Sequence, residues 1–287
     1  MCKTKEKSLI INADDLGISP AVNEAVRGYY VSGTITGASL MACGEYFSDA
    51  CSMLREINKK DIGVHLTLTG NFRPVTEDLS LVSTLLGKEK TFPEGYGSLV
   101  LKYFRNAIKA DEIMREFGSQ IEKVAREGFN ITHIDSHEHI HMIPGILKKT
   151  IELAQKYKIT YIRIPVEPLY VIKKSFSIKD LIRYTALRSA SFFSCAMNSL
   201  ENKKDIRHNT AFLGHFHSGR LDDEIILFMI KNLPQGIAEV ALHPGTEETG
   251  LTSGAWKNAA ESSGIKIITH REAVPFRPVI ARKEQSE

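Results

Sequence analysis

The segment Thr132-His133-Ile134-Asp135-Ser136-His137-Glu138-His139-Ile140-His141-Met142-Ile143-Pro144 holds four of the ten histidines in the chain. No ordinary structural role demands that density, and imidazoles beside a carboxylate are the usual material of a divalent metal site. On a strand, side chains repeat every two residues, so His133, Asp135, His137 and His139 would share one face. A single ion would use one or two of them, leaving Asp135 placed to orient a ligating imidazole. The same stretch also satisfies H-E-x-x-H through His137, Glu138 and His141, the signature of zinc peptidases. That motif works on a helix, whereas the alternating run here and Pro144 predict a strand passing into a loop.

Other polar groups fall where predicted strands end. Adjacent Asp14 and Asp15 follow Asn12-Ala13 and either cap the turn at Leu16-Gly17 or face one pocket. In a shared pocket their repulsion raises the proton affinity of one carboxylate while a cation holds the other ionised, giving a general base beside a ligand. Asn12 then holds the turn or binds substrate. His65 stands in the apolar strand Gly63 to Leu68, either as a hydrogen-bonded core residue or as a ligand. His243 ends another apolar strand at Pro244-Gly245, a position suited to a general acid or oxyanion partner, or to packing the turn. Arg163, a charge on the strand Tyr161 to Pro165, pairs with a buried carboxylate such as Asp14 or Asp135, or with substrate. His215 and His217 follow a further strand and stay unassigned.

These residues need elements that bring them together. Apolar runs of strand length alternate with helical patterns, which predicts a parallel sheet built from βα units. Strands are expected near residues 8–11, 37–42, 62–68, 131–137, 161–165, 212–214, 239–242 and 265–269. Helices are expected near 21–32, 48–58, 111–127, 144–158 and 222–232, the first opened by Ser19 as N-cap and Pro20 at its first position. Residues 69–105, rich in Gly and Pro, read as a functional insertion or lid, and 166–208 as a mostly helical excursion. About seven strands make an incomplete or distorted TIM-like (β/α) barrel in a single domain the economical fold, with a doubly wound open sheet as the alternative. In either, reactive groups sit at the carboxyl edge of the sheet.

The 287 residues are 43% hydrophobic and 25% charged, with a formal net charge of +3, the balance of a globular protein with no electrostatic footprint for nucleic acid. Four scattered cysteines (Cys2, Cys43, Cys51, Cys195) form no C-x-x-C pair, so neither a disulfide framework nor a thiolate zinc site is expected. The N-terminus has no secretory h-region, and the apolar stretch 182–199 carries Arg183 and Arg188, so a cytoplasmic chain without a membrane span is expected.

With Asn12-Ala13-Asp14-Asp15-Leu16-Gly17, Gly63-Val64-His65, the His133 to His141 run and His243-Pro244-Gly245 in this order, the chain resembles the YdjC-like carbohydrate deacetylases, which include chito-oligosaccharide deacetylase. The resemblance spans nearly the whole chain. It implies a distorted βα barrel, one divalent metal ion held by Asp15, His65 and His137, Asp14 as the base that activates water, and hydrolysis of an N-acetyl group on a carbohydrate. His243 would support the oxyanion and the leaving amine, with Asn12, Asp135, His139 and Arg163 binding substrate or backing the ligands. The family suggests magnesium, while two imidazoles also suit zinc or another transition metal. Ser19 to Val26, together with Arg163-Ile164-Pro165 and Glu167-Pro168, looks similar to the hopanoid-biosynthesis-associated branch, whose acetylated sugar is attached to a lipid. Such a substrate would bring peripheral membrane contact, and a homodimer is compatible with the family. Two readings of other kinds stand beside this one: the zinc peptidase, and a non-catalytic sugar-binding barrel that keeps a metal for structure.

Overall fold

The computed structural model describes residues 6–143, 145–165, 167–168, 206–218, 221–245 and 254–273. Seven strands form one all-parallel sheet: β1 (Lys7–Leu16), β2 (Gly37–Leu40), β3 (Asp61–Leu66), β4 (Asn130–Ser136), β5 (Ala211–Leu213), β6 (Gly236–Leu242) and β7 (Ile265–Ile267). Their order is β4-β3-β2-β1-β6-β5, with β7 paired to the first residues of β1. Burial on both faces explains the continuous apolar runs in β1 and β3.

Helices follow the strands as the βα pattern requires: α1 (Pro20–Val31), α2 (Phe47–Glu56), α3 (Tyr96–Phe104), α4 (Ala110–Arg126), α5 (Ile146–Lys156), α6 (Asp223–Lys231) and α7 (Ala255–Ser262). Ser19 caps α1, its side chain accepting from the Val22 amide at 3.2 Å with Pro20 just inside. Along α4, Ile113, Phe117, Ile121 and Val124 recur at helical spacing, and all four are buried in the main core. Pro144, expected to open α5, lies outside the described residues, as does nearly all of the expected helical excursion at 166–208.

The strand expected at 161–165 is reduced to isolated parallel bridges, Ile162 with Ile134 of β4 and Tyr161 with Arg207. Asn209 then ties this segment to β5. Its side-chain oxygen accepts from the Ile164 amide at 2.8 Å, and its nitrogen donates to the Ile164 and Ala211 carbonyls at 2.6 and 3.0 Å. The sheet is not closed by a continuous ladder, but its two edges meet in the manner of an incomplete TIM-like barrel. The insertion at 69–105 carries a short 3-10 helix at 79–85 and α3. Glu116 of α4 anchors its beginning by accepting from the amides of Val75 and Thr76 at 2.9 and 3.0 Å.

Candidate active site

The first site residues lie inside β1 rather than after it, because this strand runs on to Leu16. In a regular strand, neighbours 14 and 15 would point to opposite faces. Here the β1–β2 register slips between Ala13 and Leu16, and Asp15 adopts a left-handed backbone with φ of 59°. This bulge turns Asp15 so that both aspartates line one cavity of about 360 Å³. His65, Ser136, His137, Glu138, His139 and His243 contribute to the same walls.

β4 ends at Ser136, one residue earlier than expected, so His137 and His139 do not share a strand face with His133 and Asp135. His137 to Met142 form a 3-10 turn in which Glu138 and His139 have φ of 52° and 55°. A turn broken by two left-handed residues is not the helix that H-E-x-x-H chemistry requires. His141 is fully buried, bonded through Nδ1 to the Ser136 hydroxyl and through Nε2 to the Arg163 carbonyl at 2.8 Å. Both of its nitrogens are committed away from His137, which overturns the zinc-peptidase arrangement.

Three ligand-type atoms meet at the mouth. Asp15 Oδ1 is 3.1 Å from His65 Nε2 and 2.9 Å from His137 Nδ1, and one donor atom from each residue lies within 4.8 Å of the others. His65 Nδ1 faces Asp135 Oδ1 at 2.8 Å, the carboxylate support that fixes the ring orientation of ligating histidines. The group could hold a divalent cation.

Behind the mouth, Arg163 is fully buried among three carboxylates. Its guanidinium reaches Asp14 at 2.6 and 2.8 Å, Asp135 at 2.7 Å and Glu239 at 2.7 Å. Asn12 donates to Asp14 at 2.8 Å and to the Ser39 hydroxyl at 2.8 Å, while Ser39 donates to Asp135 at 2.6 Å. Burial works against charge on His65, yet the carboxylates of Asp135 and Asp15 outweigh it and lift the imidazole to about 10. Burial likewise opposes ionisation of Asp15, but hydrogen bonds from His137 and His65 hold its carboxyl well below the usual range. Glu239 falls to about 2, because the Arg163 charge overrides the cost of burial.

The remaining expected residues take separate places. His243 follows β6 on the cavity wall, its Nδ1 3.2 Å from the Ser218 hydroxyl. His133 is buried below the mouth, stacked on His270 at 3.4 Å between ring centroids. Gly63 makes room for it, since a Cβ there would collide with the His133 ring. Sequence reasoning missed Ser39, Tyr161, Glu239 and His270 as parts of this buried network. The signal for Glu239 was present, a lone carboxylate in the apolar strand Gly236–Leu242. His217 is buried, and His215 lines the cavity with Phe216.

An all-parallel, barrel-like α/β sheet with an Asp-His-His trio at the carboxyl edge of its strands defines a class of proteins that works on ligands at the strand ends. The chain belongs to the YdjC-like protein family, whose model matches residues 8–273. It is 28% identical over 268 residues to a carbohydrate deacetylase of Brevibacillus brevis, covering 92% of each chain. It is 26% identical over 272 residues to a carbohydrate deacetylase of Clostridium beijerinckii, covering 93% of this chain and 94% of that one. A crystal structure from Enterococcus faecalis, provisionally described as a cellobiose-phosphate cleavage protein, superposes with a TM-score of 0.72 at 25% identity, over 94% of this chain and all of that one. Among the described residues no helix is long and apolar enough to cross a membrane.

Proposed function

We propose that the protein is a metal-dependent hydrolase that removes the acetyl group from an N-acetylated sugar. The observation that carries this reading is the convergence of Asp15, His65 and His137 on one cavity wall beside Asp14. Relatives named carbohydrate deacetylases, aligned over more than nine-tenths of the chain, support the substrate class. Two imidazole nitrogens and one carboxylate oxygen, with His65 backed by Asp135, fit a divalent cation such as magnesium or zinc. When bound there, such an ion polarises an acyl carbonyl and makes water more acidic.

The chain's own groups divide the remaining work. Asp14 lines the cavity and takes a proton from the attacking water as general base. Arg163 and Asn12 fix that carboxylate through three hydrogen bonds, so it meets the water in one orientation. His243, just past the end of β6 beside β1, protonates the departing amine, and the Ser218 hydroxyl beside its Nδ1 steadies the ring. The protein acts as one domain, with the insertion at 69–105 shaping the entrance.

The test is acetate release from N-acetylglucosamine oligomers by protein stripped with a chelator and reloaded with magnesium or zinc. Release restored by either metal supports the reading. A metal-loaded protein that binds these sugars but never frees acetate is instead the sugar-binding barrel.

A further inference from the structure

One buried carboxylate takes no part in the proposed chemistry. Glu167, four positions after Arg163 in the chain, is 3% exposed. Its Oε1 accepts from the Gly214 amide at 2.9 Å and its Oε2 from the Phe216 amide at 3.0 Å, and the His215 amide between them also favours its charged form. These amides belong to the loop that leaves β5 at Leu213. The same loop supplies His215, Phe216 and Ser218 to the cavity wall, where Ser218 Oγ lies 3.2 Å from His243 Nδ1.

The loop takes this path only with glycine at its start. Gly214 has φ of 113°, and a Cβ there would come within 2.5 Å of the Ala241 carbonyl oxygen of β6. The Gly214 bond to Glu167 is buried, so that amide needs a protein acceptor. A carboxylate is a costly group to bury merely to fill space. What it adds is two acceptor oxygens in one rigid plane, which fix the two amides relative to each other.

We infer that Glu167 is a positioning residue that sets the cavity wall formed by the loop after β5, placing His215, Phe216 and Ser218 for the bound sugar and, through Ser218, the ring of His243. It touches no reacting atom and acts through the loop backbone. The inference rests on the carbohydrate reading and adds to it the part of the site that holds the sugar apart from the metal trio. Arg163 and Glu167 then serve two parts of the site from one short stretch of chain: the first orients Asp14, the second orients the loop.

The experiment reads sugar binding apart from turnover. In the Asp14→Asn background, dissociation constants for N-acetylglucosamine oligomers are measured with Glu167 intact, with Glu167→Gln and with Gly214→Ala, at a pH of about 9 where the carboxyl is ionised. Gln presents an amino group to one of the two amides in place of an acceptor, and Ala drives a Cβ into the Ala241 carbonyl. Each should weaken binding about tenfold while the chain keeps its metal ion. Together they should weaken it little further, because both displace the same loop. Ile121→Ala, a core deletion in α4, should lower stability and leave the affinity unchanged. In the native protein without sugar, deuterium exchange at the Gly214 and Phe216 amides should be slow, and it should quicken in Glu167→Gln while the β6 amides stay protected. Affinity kept within about twofold in Glu167→Gln, equal weakening by Ile121→Ala, or fast exchange of both amides in the native protein would overturn the inference. Glu167-dependent binding in a protein that, with Asp14 intact, never frees acetate would sink the deacetylase reading and leave this one standing.

Discussion

Arg163 holds Asp14 by two parallel hydrogen bonds of 2.6 and 2.8 Å, and neither side chain has meaningful exposure to water. The pair spans 149 positions of sequence, joining the second half of β1 to the segment beside β4. Because Asp135 and Glu239 share the same guanidinium, removing it strands three buried carboxylates at once.

Arg163→Met should therefore destabilise the protein by about 3–5 kcal/mol, the usual result of deleting one partner of a buried ion pair. Arg163→Lys should recover only part of this, since an ammonium cannot make the bidentate contact. Urea unfolding decides it. A Met variant within about 1 kcal/mol of the native protein would show that the carboxylates find other partners.

Asp14→Asn keeps the shape of the proposed base and removes its proton affinity. Acetate release should fall by about 10²–10⁴-fold, the usual contribution of a general base, with metal and sugar binding largely retained. Undiminished turnover would refute the role of Asp14.

Bound-metal stoichiometry separates the trio from the H-E-x-x-H arrangement. The native protein and His141→Ala should each hold one ion per chain, and His65→Ala should lose it. Retention by His65→Ala together with loss by His141→Ala would reverse the assignment. His141→Ala should nevertheless be less stable, because the Ser136 hydroxyl and the Arg163 carbonyl lose their partner.

Glu167 gives a pH dependence with a defined sign. Burial raises its carboxyl from 4.5 to about 8, against the opposing amides of Gly214 and Phe216, which donate to it at 2.9 and 3.0 Å. Between those values the folded protein binds a proton that the unfolded chain has released, so this group's contribution to stability falls as pH rises and levels off above about 8. The slope is at most about 1.4 kcal/mol per pH unit. Glu167→Gln removes the term, so the stability of this variant relative to the native protein should climb across that window. A flat difference would mean that the carboxyl titrates normally in the folded state.

Much of the scaffold is legible in the sequence, because parallel strands buried on both faces leave long apolar runs that helices interrupt. Asp15, His65 and His137 were named from the family resemblance, and they do meet. Less of their setting was visible. Nothing in Asp14-Asp15 announces the bulge that brings both carboxylates to one side, since bulges depend on pairing with β2. The end of β4 at Ser136 was hidden by an alternating pattern that runs on through His139 although the backbone does not. Glu239 and His270 escaped notice because their partners, Arg163 and His133, are distant in sequence, and only barrel curvature brings them together.

Asn209 gives the molecule a clasp. Between the seven strands the barrel wall is a backbone ladder, which parts only when several bonds break together, but the segment beside β4 meets the chain around β5 through the isolated Tyr161–Arg207 bridge and side chains, Asn209 foremost. A wall fastened in this way has a preferred line of opening, and Arg163 is the residue next to Ile164, where the clasp catches. Parting that line would draw Arg163 away from Asp14, its bidentate partner. The setting of Asp14 thus depends on a sparsely bonded seam that lies beyond β6 and β5 from β1.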